Sequence, residues 1–223
     1  HEAGSIAYEV LLGLKDCSNV KSLSIAGSLR RNKEIIKDID VLASSEDAEK
    51  VMDHFSTMPT VADVTGKGHT KTSVLLKGGI AVDLRVVSPE QYPYALHHFT
   101  GSKEHNTKMR HIAKSMGLKM NEYGLFRDDG DENIPCNSEE DLFKALGMAY
   151  IPPELREDMG EVEAALENKL PKLVESKDMS GVFHFHSHYS DGSNSIVELA
   201  EEVRRLGYSY MGMADHSRSA YYA

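Results

Sequence analysis

The chain has 223 residues, a formal net charge of −10 and two cysteines. This length suffices for one or two domains with cores of their own, and no apolar run is long enough to cross a membrane. Cys17 and Cys136 lack metal-ligand spacing, so we expect a reduced, cytoplasmic setting. Since the chain lacks an initiator Met, we expect it to be a fragment of a longer protein.

The negative charge is unevenly distributed along the chain. The first 127 residues carry 17 Lys and Arg against 15 Asp and Glu, whereas the remaining residues carry 8 against 20. Residues 97–127 hold six basic side chains, two acidic ones and four histidines. A local basic patch is what contacts a phosphate backbone, so the net charge does not exclude nucleic-acid binding.

The first elements predict a phosphate-binding turn. Residues 5–14 have the apolar spacing of a helix, and residues 20–26 have that of a strand. Gly27 and Ser28 then open a short helix, and Arg30 and Arg31 follow at once. A small residue at such a turn lets backbone N–H groups approach an oxyanion, so this segment is suited to a polyphosphate.

Three aspartates predict a metal site beside this turn. Asp38 and Asp40 enter an apolar strand on the same face, about 7 Å apart, where two carboxylates can share a divalent cation. Asp83 lies in a second apolar strand, where an unpaired charge is costly. If the two strands are neighbours, the three carboxylates converge on a two-metal phosphoryl-transfer site.

The segments after Asp40 predict the connection that brings Asp83 back. We expect Ser45 to cap a helix that ends near residue 55. Strand-like runs at 62–65, 72–77 and 81–87 are separated by glycine-containing turns, which favours antiparallel pairing. Two helices follow at 92–98 and 102–116, and the second carries Lys103, Lys108, Arg110 and Lys114. Taken alone, that helix has the pattern of an ordinary solvated basic helix.

Together these motifs resemble the family X DNA polymerases, the group of DNA polymerase beta. The Gly27-Ser28 turn, Arg31, Asp38-x-Asp40 and Asp83 match the palm of the wider nucleotidyltransferase superfamily. The run from His98 to Arg110, with Asn121-Glu122-Tyr123, resembles the nucleotide-selection segment of family X.

The resemblance implies a role for each matched position. Asp38 and Asp40 would bind both metal ions, and Asp83 would bind the catalytic ion and help to activate the primer 3′-hydroxyl. Gly27, Ser28 and Arg31 would bind the triphosphate. Phe99 and Gly101 would contact the sugar, and Asn106 the incoming base. Lys103, Lys108 and Arg110 would contact DNA, and the contact between Arg85 and Glu122 would change between open and closed forms. Two positions depart from the family pattern: His98 replaces the usual Tyr, and Lys103 stands where vertebrate enzymes have Asp.

The second half of the chain becomes acidic and then changes character. Ser138 is expected to cap a helix, residues 150–157 are expected to form an extended connector, and a helix is expected at 161–169. From residue 178 onward, His184 and His186 are predicted on one face of a strand, with Asp191 in the next turn. A helix at 195–206 and a strand at 208–213 then lead to His216.

This tail resembles the polymerase and histidinol phosphatase (PHP) domain, a metal-dependent phosphoesterase. Strand, helix and strand with ligand residues at the strand ends form the start of a β/α barrel. The resemblance implies His184, His186, Asp191 and His216 as ligands of Zn²⁺ or Mn²⁺. The acid that usually stands two residues before the first His is Val182 here, and later ligands of the family lie beyond the chain.

The prediction is an α+β protein. Residues 1–90 are expected to form a nucleotidyltransferase palm with a mixed or antiparallel sheet, and residues 91–150 a thumb-side segment of helices and a small sheet. Residues 151–177 are expected to be a linker, and residues 178–223 the first β-α-β unit of a PHP barrel. By resemblance, its function is templated addition of dNMP from a dNTP to a primer 3′-hydroxyl with two Mg²⁺ or Mn²⁺ ions. We expect gapped or primer-template DNA as partner, a role in base-excision repair, a monomer, and a bacterial cytoplasm with nucleoid association.

Three other interpretations stay open. A non-templated nucleotidyltransferase would share the turn and the three carboxylates but lack the segment from His98 to Arg110. A PHP phosphoesterase or 3′–5′ exonuclease suits the full-length protein. A DNA-binding module without catalysis would need a broken carboxylate triad, whereas Asp38, Asp40 and Asp83 are all present.

Overall fold

A computed structural model of the protein describes residues 2–130 and 132–220, and the chain divides into two compact units at residues 1–170 and 171–223. The first unit mixes helices with two sheets, which confirms the predicted α+β class. Its helices are α1 (Glu2–Lys15), α2 (Gly27–Arg30), α3 (Ala48–Ser56), α4 (Tyr92–Thr100), α5 (Lys103–Ser115), α6 (Glu139–Ala145) and α7 (Glu161–Leu166). Its strands are β1 (Ser22–Ile25), β2 (Asp38–Ser44), β3 (Val61–Lys67), β4 (Lys71–Leu76), β5 (Ala81–Val87), β6 (Leu118–Asn121) and β7 (Gly124–Arg127).

The larger sheet has the order β1-β2-β5-β4-β3. β3, β4 and β5 pair antiparallel through short turns, as predicted, whereas β2 and β5 pair parallel. The expectation that the Asp83 strand lies beside the Asp38 strand is therefore confirmed. β6 and β7 form a separate two-stranded antiparallel sheet.

Two apolar clusters support the first unit. One lies between the larger sheet and helices α1 and α3, where residues such as Ile39, Val82 and Phe55 are fully buried. The other surrounds α4, α5, α6 and the small sheet, and includes Met109 and Phe143. Residues 151–170, which were predicted as the first part of a linker, contribute to this second cluster through Ile151, Val162 and Ala165.

Several local predictions were wrong in detail. Helix α3 is capped by Asp47, whose side chain accepts from the Lys50 N–H at 3.2 Å, and not by Ser45. The Ser45 hydroxyl instead accepts from the Asp47 N–H, because the chain leaves β2 through a tight turn. The connector at 150–157 contains a 3₁₀ turn at Pro153–Leu155, since proline at the first helical position is compatible with such a turn. Ser138 caps α6 as predicted.

The second unit contains one β-α-β arrangement. Strand β8 (Gly181–Phe185), helix α8 (Ile196–Arg205) and strand β9 (Tyr210–Met213) follow one another, and the two strands pair parallel. The prediction that His184 and His186 share a strand face was wrong. His184 has a positive φ of 70°, the register shifts there, and β8 ends before His186.

Within residues 2–130 and 132–220, no helix is both long enough and apolar enough to cross a bilayer.

Candidate active site

One face of the larger sheet carries the three aspartates. Side chains alternate along a strand, so Asp38 and Asp40 project from one face of β2 while Ile39 and Val41 are buried on the other. Asp40 and Asp83 occupy matched positions of the parallel β2–β5 pair. The strand pattern that builds the core therefore also gathers the carboxylates on the opposite face.

The surroundings of Asp40 oppose the ionisation of its carboxyl group. Burial raises the pKa of this carboxyl, and the negative charges of Asp38 and Asp83 raise it further. Arg85 and Lys71 act in the opposite direction. Carboxylate oxygens that repel one another in a partly buried place are a donor set suited to hard divalent cations.

Asp83 is held by two residues of the neighbouring strand β4. The Ser73 hydroxyl donates to Asp83 Oδ1 at 2.6 Å, and the Lys71 ammonium pairs with Asp83 Oδ2. Sequence reasoning missed both partners. Ser73 and Lys71 lie two residues apart on a strand whose Thr72 and Val74 are buried, and their pairing with Asp83 depends on the register of β4 against β5.

The turn at Gly27 touches Asp40 directly. Gly27 has a φ of 59°, and a Cβ at this position would lie 2.0 Å from Asp40 Oδ2. The Ala26 N–H also donates to the Asp40 carbonyl at 2.8 Å. The predicted phosphate-binding turn, with Ser28 next in the chain, therefore lies against the carboxylate face, and glycine is required there for space as well as for conformation.

The two arginines after the turn contact the end of α4, the start of α6 and the chain beyond α6. Arg31 donates to Glu157 Oε1 at 2.8 Å and to the Thr100 carbonyl at 2.6 Å. Arg30 forms two hydrogen bonds with the Glu139 carboxylate. Arg31, predicted to hold a triphosphate, is thus paired with a carboxylate in this structure.

A buried ion network extends from Arg30. Glu139 also accepts from Arg156, which is fully buried, at 2.6 Å. Burial alone would raise the pKa of Glu139, but Arg30 and Arg156 hold it below its usual range. Sequence reasoning gave Glu139 no role and missed this network.

The predicted nucleotide-selection residues lie around the end of α4. The Arg85 guanidinium stacks 4.3 Å from the centre of the Phe99 ring. Gly101 ends α4 with a φ of 72°, and the peptide bond after it is cis. The Asn106 amide donates to the His98 carbonyl at 2.7 Å, which joins α5 to α4. Phe99, Gly101 and Asn106 are therefore brought together.

The predicted Arg85–Glu122 pair is not formed among the described residues. Arg85 stacks on Phe99, while Glu122 Oε2 lies 4.0 Å from His98 Nδ1. Burial lowers the pKa of His98, against the opposing influence of Glu122. Arg85 and Glu122 thus have different partners, Phe99 and His98, and a conformational role for the pair stays a prediction.

The three predicted DNA contacts differ in their surroundings. Lys103 is exposed at the start of α5. Arg110 is exposed and donates to the Thr107 hydroxyl at 3.2 Å. Lys108 instead forms ion pairs with Glu163 and, at 3.7 Å, with Asp158.

A separate cluster lies in the second unit. Among the described residues, three candidate metal ligands lie close together: His186, Asp191 and His216. Each offers one ligand atom, and these atoms all lie within 4.8 Å of one another. The predicted ligand His184 is outside this group, although its ring centre lies 5.1 Å from that of His186. Two imidazoles and a carboxylate are a donor set that suits Zn²⁺ or Mn²⁺.

Known proteins provide an independent comparison. The family described as "DNA polymerase beta thumb" matches residues 95–157. The "DNA polymerase/3'-5' exonuclease PolX" of Bacillus subtilis is 40% identical over 215 residues, which cover 96% of this chain and 37% of that protein. This chain is similar in sequence to these DNA polymerases.

Two further relatives carry similar names. The "Repair DNA polymerase X" of an African swine fever virus isolate is 29% identical over 143 residues, which cover 61% of this chain and 82% of the viral protein. The human "DNA-directed DNA/RNA polymerase mu" is 41% identical over 78 residues, or 34% of this chain and 16% of that protein. Each of these three relatives is named as a DNA polymerase. The chain spans little more than a third of the Bacillus subtilis relative.

Proposed function

We propose that the first unit is the catalytic part of a template-directed DNA polymerase that fills short gaps during base-excision repair. The observation that carries the proposal is the common face of Asp38, Asp40 and Asp83, bordered by the Gly27 turn. The names of the family X relatives support the same reaction. Residues 1–90 would act as the palm and residues 91–150 as the nucleotide-selecting segment.

In this proposal Asp38 and Asp40 hold two divalent cations, Mg²⁺ or Mn²⁺, and Asp83 holds one of them. When bound, the ions would supply a lower pKa for the primer 3′-hydroxyl and positive charge for the leaving pyrophosphate. Asp83 would help to activate that hydroxyl. Gly27 and Ser28 leave room for the triphosphate beside the carboxylates.

The selection of the nucleotide is assigned to residues around α4. Phe99 and Gly101 would line the sugar pocket, with Phe99 fixed by the stacked Arg85. Asn106, anchored on the His98 carbonyl, would meet the incoming base, and Arg110 and Lys103 would contact the DNA. Arg31 would exchange Glu157 for the triphosphate, since both partners are anionic.

The test is extension of a labelled primer on a duplex with a one-nucleotide gap. The chain is compared with Asp83→Ala and with the matched control Asp63→Ala, an exposed acid on β3. Template-directed addition that Asp83→Ala abolishes and Asp63→Ala retains supports the proposal. Addition that ignores the template would instead indicate a non-templated nucleotidyltransferase.

A second activity is proposed for the full-length protein. His186, Asp191 and His216 would bind a metal ion in a domain of the PHP type that begins near residue 178. The Bacillus subtilis relative, named as both polymerase and 3′–5′ exonuclease, supports a phosphodiesterase. Digestion of a 3′-labelled strand by the full-length protein and by its His216→Ala variant tests this, and equal digestion would contradict it.

A further inference from the structure

Two cations lie on the carboxylate face, and they are held in different ways. The guanidinium of Arg85 is stacked on Phe99. The ammonium of Lys71 pairs with Asp83 Oδ2, and its side chain is 36% exposed. A lysine is a compact charge on a flexible stem, so the Lys71 ammonium can swing from this position into water.

Strand register explains why both partners of Asp83 come from β4. Ser73 is directly opposite Asp83 in the antiparallel β4–β5 pair, and Lys71 is opposite Arg85. Residues two apart on a strand share a face, so Ser73 and Lys71 both reach the carboxylate side. Each oxygen of the Asp83 carboxylate then has a partner of its own: the Ser73 hydroxyl at Oδ1 and the Lys71 ammonium at Oδ2.

We propose that Lys71 is the counter-ion of Asp83 in the absence of metal and is displaced when a divalent cation binds, while Ser73 is a positioning residue that keeps the carboxylate oriented. The inference rests on the proposed function, because it requires the three aspartates to bind divalent cations.

The two partners have opposite consequences for cation binding. A cation that takes Asp83 Oδ2 competes with the Lys71 ammonium, so removing the ammonium removes a competitor. The Ser73 hydroxyl donates to Oδ1 and does not compete with a cation for Oδ2. Removing the hydroxyl releases the carboxylate from its orientation and so weakens cation binding. A general disturbance of the β4–β5 hairpin would move both variants in the same direction.

The experiment measures Mn²⁺ binding without DNA or nucleotide. Free Mn²⁺ is followed by electron paramagnetic resonance in a His186→Ala, His216→Ala background, which removes the ligand cluster of the second unit. The affinity is expected to rise about fivefold in Lys71→Met and to fall about fivefold in Ser73→Ala, as the loss of a single charged or charge-assisted contact implies. Ser73→Thr retains the hydroxyl and is expected to restore binding.

Lys67→Met is the matched control for Lys71→Met. It removes the same charge from the neighbouring strand β3, but Lys67 pairs with Asp53 and not with Asp83. If Lys67→Met raised the affinity for Mn²⁺ as much as Lys71→Met, only the overall charge would matter, and the counter-ion role of Lys71 would be overturned. An unchanged or higher affinity in Ser73→Ala would overturn the positioning role.

A variant with all three aspartates replaced (Asp38→Asn, Asp40→Asn, Asp83→Asn) distinguishes a failure of the proposed function from a failure of the inference. If this triple variant binds Mn²⁺ as tightly as the parent, the aspartates are not the cation site and the proposed function fails. If the triple variant loses binding while Lys71→Met and Ser73→Ala leave the affinity unchanged, the proposed function stands and the inference alone is overturned. Circular dichroism of each variant verifies that the fold is intact.

Discussion

Asp40 and Asp83 face each other across the parallel pair of β2 and β5, at matched positions of the register. Because burial and the charges of Asp38 and Asp83 raise the pKa of Asp40, its ionisation opposes folding. This penalty is absent below the unfolded pKa of about 3.9 and is fully present once the pH exceeds the raised folded value. Like charges that oppose folding in the absence of cations are typical of a functional site.

The first prediction follows from that relationship. Asp40→Asn is expected to raise the free energy of unfolding in EDTA at pH 7 by about 1 kcal/mol, because it removes a repelled charge. It is expected to lower the rate of primer extension about 100-fold or more, since a ligand of both ions is lost. Urea denaturation and gap filling measure the two effects. Asp63→Asn is the control, and a destabilised Asp40→Asn would contradict the repulsion.

The second prediction concerns the glycine turn. Gly27→Ala places a methyl group 2.0 Å from the unmoved Asp40 Oδ2, at a φ of 59°. The turn must shift, so we expect a loss of about 1–2 kcal/mol of stability and most of the extension activity. Gly78→Ala is the matched control, because a Cβ there meets no atom within 4 Å. Equal effects of the two substitutions would show that the close approach is irrelevant.

The third prediction concerns the buried network of Arg30, Glu139 and Arg156. Glu139→Gln leaves two arginines without their carboxylate, and removing one partner of a buried ion pair costs about 3–5 kcal/mol. The midpoint of urea unfolding measures this loss. Glu140→Gln removes an exposed acid from the same helical turn and is expected to change the midpoint little. A Glu139→Gln variant as stable as Glu140→Gln would mean that the network contributes nothing.

The fourth prediction concerns acid sensitivity. His97 and His105 lie 3.3 Å apart between their Nε2 atoms, and His105 Nδ1 lies 2.8 Å from Glu161. Burial, followed by the charge of Arg156, lowers the pKa of His97 well below its usual range, and burial lowers the pKa of His105. A histidine with a depressed folded pKa takes up its proton more readily in the unfolded chain, so stability falls as the pH drops below about 6.5.

The measurement is urea unfolding at several pH values between 5 and 7. In His97→Gln, the free energy of unfolding is expected to depend less steeply on pH, by up to about 1.4 kcal/mol per pH unit, which is the contribution of one proton. His111→Gln removes an exposed histidine of α5 and is expected to leave the dependence unchanged. If both variants retain the slope of the parent, other groups cause the acid sensitivity.

The fifth prediction separates two lysines of α5. For binding to duplex DNA, the logarithm of the association constant falls linearly with the logarithm of the salt concentration. Lys103→Gln is expected to make this slope shallower by about 0.9, because one counterion fewer is released. Lys108→Gln is expected to change it less, because Glu163 and Asp158 already pair with that ammonium. Fluorescence anisotropy over a range of salt concentrations measures the slopes. A larger effect at Lys108 would mean that DNA displaces the acids.

The sequence predicts best what depends on neighbours in the chain. The alternation around Ile39 and Val41 predicts which way Asp38 and Asp40 point, because the period of a strand is local. The cap at Ser138 likewise depends on a few residues. His184 shows the limit of this reasoning, since its positive φ interrupts the alternation and carries His186 out of the strand.

Contacts between distant segments were not predictable in the same way. Arg30 and Glu139 are 109 positions apart, and nothing around Glu139 distinguishes a buried acid from a solvated one. The partners of Asp83 required the register of β4 against β5, which the sequence leaves open by one residue in either direction. The resemblance to a family predicted the carboxylates but not the side chains that hold them.

The parallel pairing of β2 and β5 also bears on how the protein acquires its activity. Two parallel strands cannot be joined by a tight turn, and here the chain passes through α3, β3 and β4 before Asp83 arrives beside Asp40. Closing such a long connection is entropically costly and comes slowly during folding. The carboxylates therefore meet only once β5 has paired with β2, so a chain that has not yet made this long-range pairing keeps the three aspartates apart, whatever helices and hairpins it has already formed.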